Sequence, residues 1–427
     1  MRADRAGYKK NKLGWIPDEW DVVELGDVIE FLTGLPFSSE KFKDNGIRLL
    51  RCANIKRGNT DWSENITQHW EKLTPELKQY EMLSGDIVIA MDGSLVGRSF
   101  ARLTEKDIPS LLVQRVARVR SSSVDMGYLK ETICSTYFTR YCDAVKTVTA
   151  IPHISPKDIR SYTIPLPPLA EQQKIADILC AVDEKIEAID AEIAETEQLK
   201  KGLMQKLLTE GIGHTEFKDT KLGSIPVDWE VKKFKDETAI LTCGVAATPK
   251  YVEEDIGIPF LSAQNVRNGK VVLDKYKFIT KELHQELTKN HKPVKGDILY
   301  SRVGAKFGEA GVVEHDFEFS VYVSLTHIRV KESSDPYFIK SLLNSNFVKR
   351  MAYNSVYQGA GVPNLNVKVV REFKLAFPPL PEQKKIAAIL TSVDDKIEIL
   401  QQKRAENETL KKGLMQKLLT GEMRVRV

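Results

Sequence analysis

The chain has 427 residues, of which 42% are hydrophobic and 29% charged, and its formal net charge is +4. This length exceeds one typical domain and predicts two, and the hydrophobic content predicts packed cores rather than disorder. The first twelve residues are polar and basic, no apolar run is long enough to cross a bilayer, and the five cysteines lack metal-ligand spacing. We therefore expect a reduced, cytoplasmic protein with no signal peptide and no membrane contact.

The first globular part, residues 1–167, is predicted to mix strands and helices. Residues 86–90 and 113–119 are rich in β-branched side chains and predict two strands, the first of which ends in a glycine-containing loop. Residues 126–142 predict a helix. The pattern is that of a mixed α and β domain.

A long helix is predicted over residues 168–210. Its apolar residues recur at alternating intervals of four and three, which is the pattern of a coiled-coil seam. Pro168 stands at its start and Gly211 follows it, as is typical of helix ends. The seam residues, which we expect to pair with another helix, are Ile175, Leu179, Val182, Ile186, Ile189 and Ile193.

A linker at residues 211–220 leads to a second globular part, residues 221–378. Residues 297–300 and 321–330 predict strands. A helix is predicted to start with Asp335 as its N-terminal cap, followed by proline in its first turn. This part therefore has the same mixed composition as the first.

A second long helix is predicted over residues 379–420, before a C-terminal tail at 421–427. Each of its positions lies 211 residues after a counterpart in the first helix, so the chain contains an internal duplication. Covalent linkage favours pairing of the two helices with each other, although the seam alone would also allow a partner chain. The second set of seam residues is Ile386, Leu390, Val393, Ile397 and Leu400.

The duplication predicts an α+β fold with a pseudo-two-fold internal repeat. Two homologous mixed α/β domains would be separated and joined by two long antiparallel coiled-coil helices. The globular parts share mainly glycine, proline and apolar positions and differ elsewhere. Such a shared framework with different surfaces suits two readers of different targets, and it also suits plain divergence after duplication.

Several short motifs mark the two halves of the chain. They are Leu-Gly-x-Ile-Pro-x-x-Trp, Gly-Asp-Ile-Val/Leu with trailing glycines, Val-Pro-Asn-Leu-Asn at 362–366, Pro-Pro-Leu-x-Glu-Gln-x-Lys-Ile-Ala, and Lys-Lys-Gly-Leu-Met-Gln-Lys-Leu-Leu-Thr at the helix ends. These motifs resemble those of the specificity (S) subunits of type I restriction–modification systems, and they cover nearly the whole chain, in the family's order and in both halves. One difference between the halves is His153, which corresponds to Asn364.

This resemblance implies that the two globular parts are target recognition domains, each reading one half of a bipartite site in double-stranded DNA. The helices would set the spacer between the half-sites and dock two methyltransferase (M) subunits. S-adenosylmethionine would be bound by the M subunits, and this chain would hold no cofactor. Motor-nuclease (R) subunits would complete the restriction enzyme.

Catalytic motifs are missing from the sequence, as the resemblance implies for a non-catalytic subunit. Residues 335–338 lack one proline of the Asn/Asp-Pro-Pro-Tyr/Phe methyltransferase motif and predict a helix cap instead. No phosphate-binding loop and no histidine pair at metal spacing occurs, and His284 and His291 are expected to be solvated. We predict no catalytic residue and no metal ligand. The alternative function is a tandem protein-interaction scaffold, and an unrecognised nuclease or methyltransferase is a third.

Candidate DNA contacts are the basic and amide side chains of the globular parts, since arginine and lysine suit guanine and phosphate, and asparagine and glutamine suit adenine. Without residues 170–210 and 381–420, which together carry −3, the rest of the chain carries +7. Asn54 and Asn265 occupy matched positions and are expected to build a shared turn instead. The predicted contacts are Arg48, Arg51, Lys56, Arg57, Arg98, Arg102, Gln264, Arg267, Asn268, Lys270, Arg302, Lys306, Tyr357 and Gln358.

Overall fold

The chain divides into two units, each with a globular part and a portion of both long helices. The computed structural model describes residues 6–244, 249–304, 307–356 and 363–426. The first unit comprises Met1–Asp190 and Lys403–Val427, and the second comprises Ala191–Gln402. Within the described residues, no helix combines the length and the apolar character needed to cross a membrane.

The first unit alternates short strands with short helices before the first long helix, α5, begins. Its elements are β1 (Tyr8–Asn11), β2 (Gly14–Pro17), β3 (Asp21–Glu24), α1 (Leu25–Val28), β4 (Glu30–Thr33), β5 (Ile47–Leu50), β6 (Arg57–Gly58), β7 (His69–Trp70), β8 (Ile87–Ala90), β9 (Phe100–Arg102), β10 (Ser110–Leu112), β11 (Val116–Arg120), α2 (Met126–Cys134), α3 (Thr136–Val145), α4 (Pro156–Arg160), β12 (Thr163–Leu166) and α5 (Leu169–Leu207).

The second unit has a similar order, with an added strand at Lys270–Val271 and an added helix at Lys281–Thr288, and it ends in the second long helix, α10. Its elements are β13 (Phe217–Thr220), β14 (Gly223–Pro226), β15 (Glu230–Lys233), β16 (Thr238–Cys243), β17 (Ile258–Leu261), β18 (Val266–Arg267), β19 (Lys270–Val271), β20 (Lys277–Ile279), α6 (Lys281–Thr288), β21 (Ile298–Ser301), β22 (Ala310–Val312), β23 (Ser320–Val321), β24 (Leu325–Val330), α7 (Pro336–Leu343), α8 (Asn346–Asn354), α9 (Val367–Arg371), β25 (Lys374–Phe377) and α10 (Leu380–Leu418).

The sheets of the two units have corresponding strand orders, although the larger sheet has one more strand in the second unit. In the first unit a five-stranded sheet has the order β4-β11-β8-β9-β6, and a three-stranded sheet has the order β10-β5-β7. In the second unit the orders are β16-β24-β21-β22-β19-β18 and β20-β17-β23. Both units add a terminal hairpin and a two-stranded pair (β12-β3 and β15-β25). The predicted internal repeat is therefore confirmed at the level of topology.

The central strand of each larger sheet is apolar on both faces because each face is covered. On β8, Ile87 and Ile89 pack against a core that includes residues of α2, α3 and α5, while Val88 and Ala90 pack with Leu50 of the three-stranded sheet. The second unit repeats this arrangement around β21. A strand that is buried on both faces reads as a continuous apolar run, which explains why these strands were predictable.

The two long helices are antiparallel in each unit. In the first unit, Ile175 and Leu179 near the start of α5 share a core with Leu418 near the end of α10. In the second unit, Ile386 near the start of α10 shares a core with Leu207 near the end of α5. The predicted pairing of the two helices with each other is confirmed.

Three local predictions were wrong in extent because the predicted segment is interrupted. Residues 321–330 are divided between β23 and β24, which belong to different sheets, by a two-residue turn. In residues 113–119 a two-residue turn separates Val113, which forms an isolated bridge with Leu35, from β11. The helix expected over residues 126–142 breaks at Ser135, whose hydroxyl accepts the Phe138 backbone N–H and caps α3. A local cap of this kind competes with helix continuation, and the apolar pattern does not show it.

His284 is buried rather than solvated. It lies on α6 with 6% of its surface exposed, and its Nδ1 is 2.9 Å from the Ser320 hydroxyl. His291 is exposed as expected, but it lies beyond the end of the helix. The predicted linker, residues 211–220, contains the first strand of the second unit's hairpin. The predicted Asp335 cap is confirmed, because its carboxylate accepts two backbone N–H groups at the start of α7.

Candidate nucleic-acid interface

Asn54 and Asn265 build the shared turn that their matched positions predicted. Both are fully buried. The Asn54 carboxamide accepts the Arg51 N–H over 3.1 Å and donates to the Asp61 carbonyl over 3.0 Å. Asn265 likewise accepts the Ser262 N–H over 3.0 Å and donates to two carbonyls. Because both side chains are buried and hydrogen-bonded within their turns, neither is available to a base.

Arg48 and Arg51 are both held inside the first unit. The Arg48 guanidinium donates to the carbonyls of Lys106 and Ile108 and lies 4.4 Å from the centre of the Trp62 ring. Arg51 donates to the Ile66 carbonyl. Both are half-buried, and one terminal nitrogen of each guanidinium is already engaged by backbone carbonyls.

Four further basic residues of the first unit differ in how far they are engaged. Arg98 makes a two-point ion pair with Asp143 over 3.0 and 2.6 Å. Lys56 donates to the Ala53 carbonyl over 2.9 Å. Arg57 and Arg102 are exposed on the adjacent strands β6 and β9, with no side-chain hydrogen bond to the described residues. These two are the predicted contacts of this unit that remain most accessible to a phosphate.

Arg302 is a structural residue of the second unit. Only 7% of its surface is exposed. Its guanidinium donates to the carbonyls of Leu365 (2.8 Å) and Val323 (3.0 Å) and to the Asn364 carboxamide oxygen (2.9 Å). The guanidinium therefore ties three segments together.

The hairpin between β18 and β19 carries three predicted contacts. Asn268 and Gly269 both have positive φ (54° and 76°), which is the signature of a tight type I′ turn. Arg267 pairs with Asp274, and Lys270 forms a 2.5 Å ion pair with Glu398 of α10. The asparagine thus has a conformational role, and the lysine fastens the hairpin to the helix.

The last predicted contacts are only partly visible. Gln264 is exposed and makes one long hydrogen bond, 3.4 Å to the Lys275 carbonyl. Lys306, Tyr357 and Gln358 lie outside the described residues. Among the described residues no three metal-ligating side chains come together.

The sequence analysis missed a set of ion pairs that join each globular part to the helices. The carboxylate of Asp183 on α5 forms ion pairs with Lys130 of α2 and Lys411 of α10, each over 2.6 Å. In the second unit, the carboxylate of Asp394 on α10 forms an ion pair with Lys200 of α5 over 2.6 Å. We call these clusters the junctions. The sequence feature that could have identified the junctions is a lysine at a helix position that continues the spacing of the apolar seam.

The second junction is completed by Lys340 of α7, 3.1 Å from Asp394. Burial alone would raise the pKa of Asp183 and Asp394, but the hydrogen bonds and charges of the lysines outweigh it and lower both pKa values. Both aspartates are therefore ionised at neutral pH. Each unit thus has one carboxylate that binds a recognition-domain helix and both long helices together.

The Glu-Gln pair of the repeated Pro-Pro-Leu-x-Glu-Gln motif anchors the start of each long helix. Glu171 accepts the Trp20 indole N–H over 2.9 Å, and Gln172 accepts the Asp125 backbone N–H over 2.9 Å. Glu382 and Gln383 make the equivalent bonds to Trp229 and Asp335. This contact explains why the motif and the tryptophan occur in both halves.

The second partner of this glutamate differs between the units. Glu171 binds Arg424 of the C-terminal tail over 2.7 Å, whereas Glu382 lies 2.9 Å from His214 in the linker. Tail and linker follow the two long helices at equivalent positions. The tail therefore supplies a side-chain partner for the motif glutamate of the first unit, as the linker does in the second unit.

The predicted seam residues lie on the inner sides of the helices. Ile175, Leu179, Ile386 and Leu390 are at most 1% exposed. The other seam residues are buried or half-buried, namely Val182, Ile186, Ile189, Ile193, Val393, Ile397 and Leu400.

Comparison with known proteins adds an independent finding. The family model described as type I restriction modification DNA specificity domain matches residues 17–198 and 226–409. The chain is 29% identical over 421 residues to the type I restriction enzyme MjaVIII specificity subunit of Methanocaldococcus jannaschii, covering 96% of this chain and 94% of that relative. It is 23% identical to the EcoKI specificity subunit of Escherichia coli, with coverage of 87% and 82%.

A solved structure shows a similar fold. The crystal structure of a type I restriction–modification S subunit from M. genitalium matches with a TM-score of 0.60 at 15% identity, covering 96% of this chain and 98% of that one. At this level of identity the match concerns the fold alone.

Proposed function

Because this chain belongs to the DNA specificity subunits of type I restriction–modification systems, with two target recognition domains, we propose that each unit reads one half of a bipartite DNA site. As a specificity subunit it is itself non-catalytic. The observation that carries the proposal is the double match to the family model on a repeated sheet topology, in which one framework presents different polar groups.

The two long helices would determine the spacer between the half-sites. Both α5 and α10 contribute to both units, and each has 39 residues, or about 58 Å at 1.5 Å per residue. In each unit a junction aspartate holds a recognition-domain helix to both long helices. These contacts would keep each reading surface fixed relative to the helix pair.

Partner subunits would supply the chemistry. We propose that two M subunits dock on the helices and transfer a methyl group from S-adenosylmethionine to the DNA, and that R subunits add the motor and nuclease. This chain would bind no cofactor itself. The complex would act in the cytoplasm, where the DNA is found.

A matched insertion tests the role of the helices. Four residues are inserted in both helices, between Asp190 and Ala191 and between Gln402 and Lys403, so that both junctions keep their internal register. The added length is about 6 Å, or one to two base-pair steps. The expected result, read by methylation-sensitive sequencing with the M subunit present, is a longer spacer between unchanged half-sites.

The control is a four-residue insertion between Glu254 and Asp255, in an exposed turn outside the helices. It should change neither the spacer nor the half-sites. A helix insertion that altered a half-site sequence would refute the spacer role. Absence of DNA binding by the wild-type chain with its M subunit would refute the DNA-reading function and favour the scaffold alternative.

A further inference from the structure

Three segments of the first unit meet beside the end of β8. After β8 the chain continues to Met91 and Asp92, and the Met91 N–H donates to the Arg115 carbonyl over 2.9 Å. Asp92 forms a β-bridge with His153, which precedes α4. The end of β8, the β10–β11 turn and the segment before α4 therefore come together at one place.

The turn between β10 and β11 consists of Gln114 and Arg115, and both are exposed. Arg115 has a φ of +67°, a region that residues with a Cβ seldom adopt. The strands on either side belong to different sheets, so the chain must turn sharply here. The fold holds the Arg115 backbone in an unfavourable conformation while its side chain faces outward.

An ordered chain of polar contacts positions this arginine. Its Nε lies 3.3 Å from the Asp92 carboxylate, and the other carboxylate oxygen lies 2.8 Å from Nδ1 of His153. The Arg115 side chain is 57% exposed, whereas Asp92 and His153 are only 25% and 28% exposed. The two terminal nitrogens of the guanidinium have no hydrogen bond to the described part of the chain, so they can donate outward.

The equivalent place in the second unit is chemically different. Val323 and Ser324 occupy the turn between β23 and β24, and Asn364 corresponds to His153. The guanidinium of the buried Arg302 donates to the Asn364 side chain and to two backbone carbonyls there. The same three segments therefore present an outward guanidinium in the first unit only.

We propose that Arg115 is a specificity-determining residue of the first recognition domain, and that its guanidinium reads a guanine in the major groove. Two parallel N–H donors match the O6 and N7 acceptors of guanine, and this is the commonest specific contact between a side chain and a base. Asp92 is the positioning residue that orients the guanidinium, and His153 orients Asp92. The inference rests on the proposed DNA-reading function.

The test uses the full chain with its M subunit and the target defined by methylation sequencing. Each guanine of the target is replaced in turn by 7-deazaguanine, which lacks the N7 acceptor, and binding is measured by fluorescence anisotropy. The variant is Arg115→Gly, because glycine adopts a positive φ without strain, so the fold should not be weakened. The control is Arg140→Ala, which removes an exposed arginine of α3 in the same unit.

The wild-type complex should lose affinity at one guanine of one half-site. Arg115→Gly should bind the native site about 10- to 100-fold more weakly and show no further loss at that guanine. Arg140→Ala should retain the wild-type pattern. Asp92→Asn should weaken binding less than Arg115→Gly and remain sensitive at the same guanine.

Two results would overturn the inference. One is a wild-type complex that is insensitive to 7-deazaguanine at every position, and the other is an Arg115→Gly variant that remains sensitive at every position where the wild type is. Either result leaves the proposed function standing, because the wild-type complex still binds its target. Failure of the wild-type complex to bind any DNA would instead refute the proposed function itself.

Discussion

Lys411 of α10 donates hydrogen bonds to both carboxylate oxygens of Asp183 on α5, each over 2.6 Å. The contact fixes the register of the two antiparallel helices, because a shift of one residue would carry the lysine away from its partner. Lys130 joins the same carboxylate from the recognition domain. The apolar seam buries side chains such as Ile175 and Leu179, and this polar cluster selects one alignment.

Replacement of Lys411 by methionine should destabilise the first unit. Methionine keeps most of the length of the aliphatic stem, but it leaves Asp183 with one lysine fewer and beside the buried Glu131. We expect a loss of about 1–3 kcal/mol in the free energy of unfolding, since the pair is partly buried. Urea unfolding combined with hydrogen exchange of α2 would measure it.

Lys412→Met, at the exposed neighbouring position, is the control and should be near neutral. Lys200→Met should produce the same loss in the second unit, with the change in hydrogen exchange in α7 instead of α2. Equal stability of Lys411→Met and wild type would show that the junction contributes nothing to the helix register.

The C-terminal tail should be needed for the stability of the first unit. Arg424 neutralises Glu171, which is 2% exposed, and Tyr8 donates to the Gly421 carbonyl. Arg424→Ala leaves a buried carboxylate with only the Trp20 indole, so we expect a loss of about 1–3 kcal/mol. Differential scanning calorimetry would detect it.

Arg426→Ala, two residues further along and exposed, serves as the comparison and should leave the melting profile unchanged. A melting profile that Arg424→Ala also leaves unchanged would mean that the tail is not part of the first unit's stable structure.

Acid should weaken the second unit partly through Asp297. Burial alone would raise the pKa of Asp297, but the hydrogen bonds from His327 and Arg329 outweigh this effect, so its pKa lies below the ordinary value. A lowered folded-state pKa means that the ionised carboxylate stabilises the fold above the unfolded-state pKa of about 3.9. That stability is lost as the pH falls through the folded-state value.

Asp297→Asn should therefore be less stable than wild type at pH 7, by about 1–3 kcal/mol. The difference should be constant down to about pH 5 and should shrink below about pH 4. Urea unfolding across pH 3–7 measures it, with the exposed Asp395→Asn as the control. A difference that grew as the pH fell would contradict the sign of the pKa shift.

The accessible and the buried arginines should respond differently to substitution. Arg57→Ala removes an exposed cation, so it should weaken binding to all DNA sequences and reduce the slope of log K against log salt by about 0.9 if it contacts one phosphate. Arg302→Ala should instead lower the melting temperature, because it deprives three segments of their shared donor. An unchanged salt slope in Arg57→Ala would exclude a phosphate contact there.

Much of the architecture was predictable because its signals are local and repeated. The 211-residue offset and the apolar seam predicted two repeats and two paired helices, and the structure and the family match confirm both. Strands that are buried on both faces, such as β8, also read clearly. Turns inside apolar runs did not, since Gln114 and Arg115 look like strand residues when only their neighbours are considered.

The candidate site was harder to predict because residue type does not reveal how many donors the fold has already used. Arg48 and Arg302 have the chemistry of base readers, but one terminal nitrogen of Arg48 and all three guanidinium nitrogens of Arg302 already donate within the fold. Arg115 was not among the contacts predicted from the sequence, yet its terminal nitrogens face outward. Only the three-dimensional neighbours of each arginine distinguish these cases.

The sequence by itself therefore determined the duplication, the helix pair and the family, because each depends on periodicity or on motifs that survive in linear order. The tertiary structure decided which lysines join the helices to the recognition domains, that the C-terminal tail pairs with Glu171, and which arginines keep unused donors. These features depend on contacts between residues that are distant in the chain, as between Trp20 and Glu171 or between Asp183 and Lys411. Hydrogen-bond satisfaction is a property of such contacts, so it cannot be read from one segment at a time.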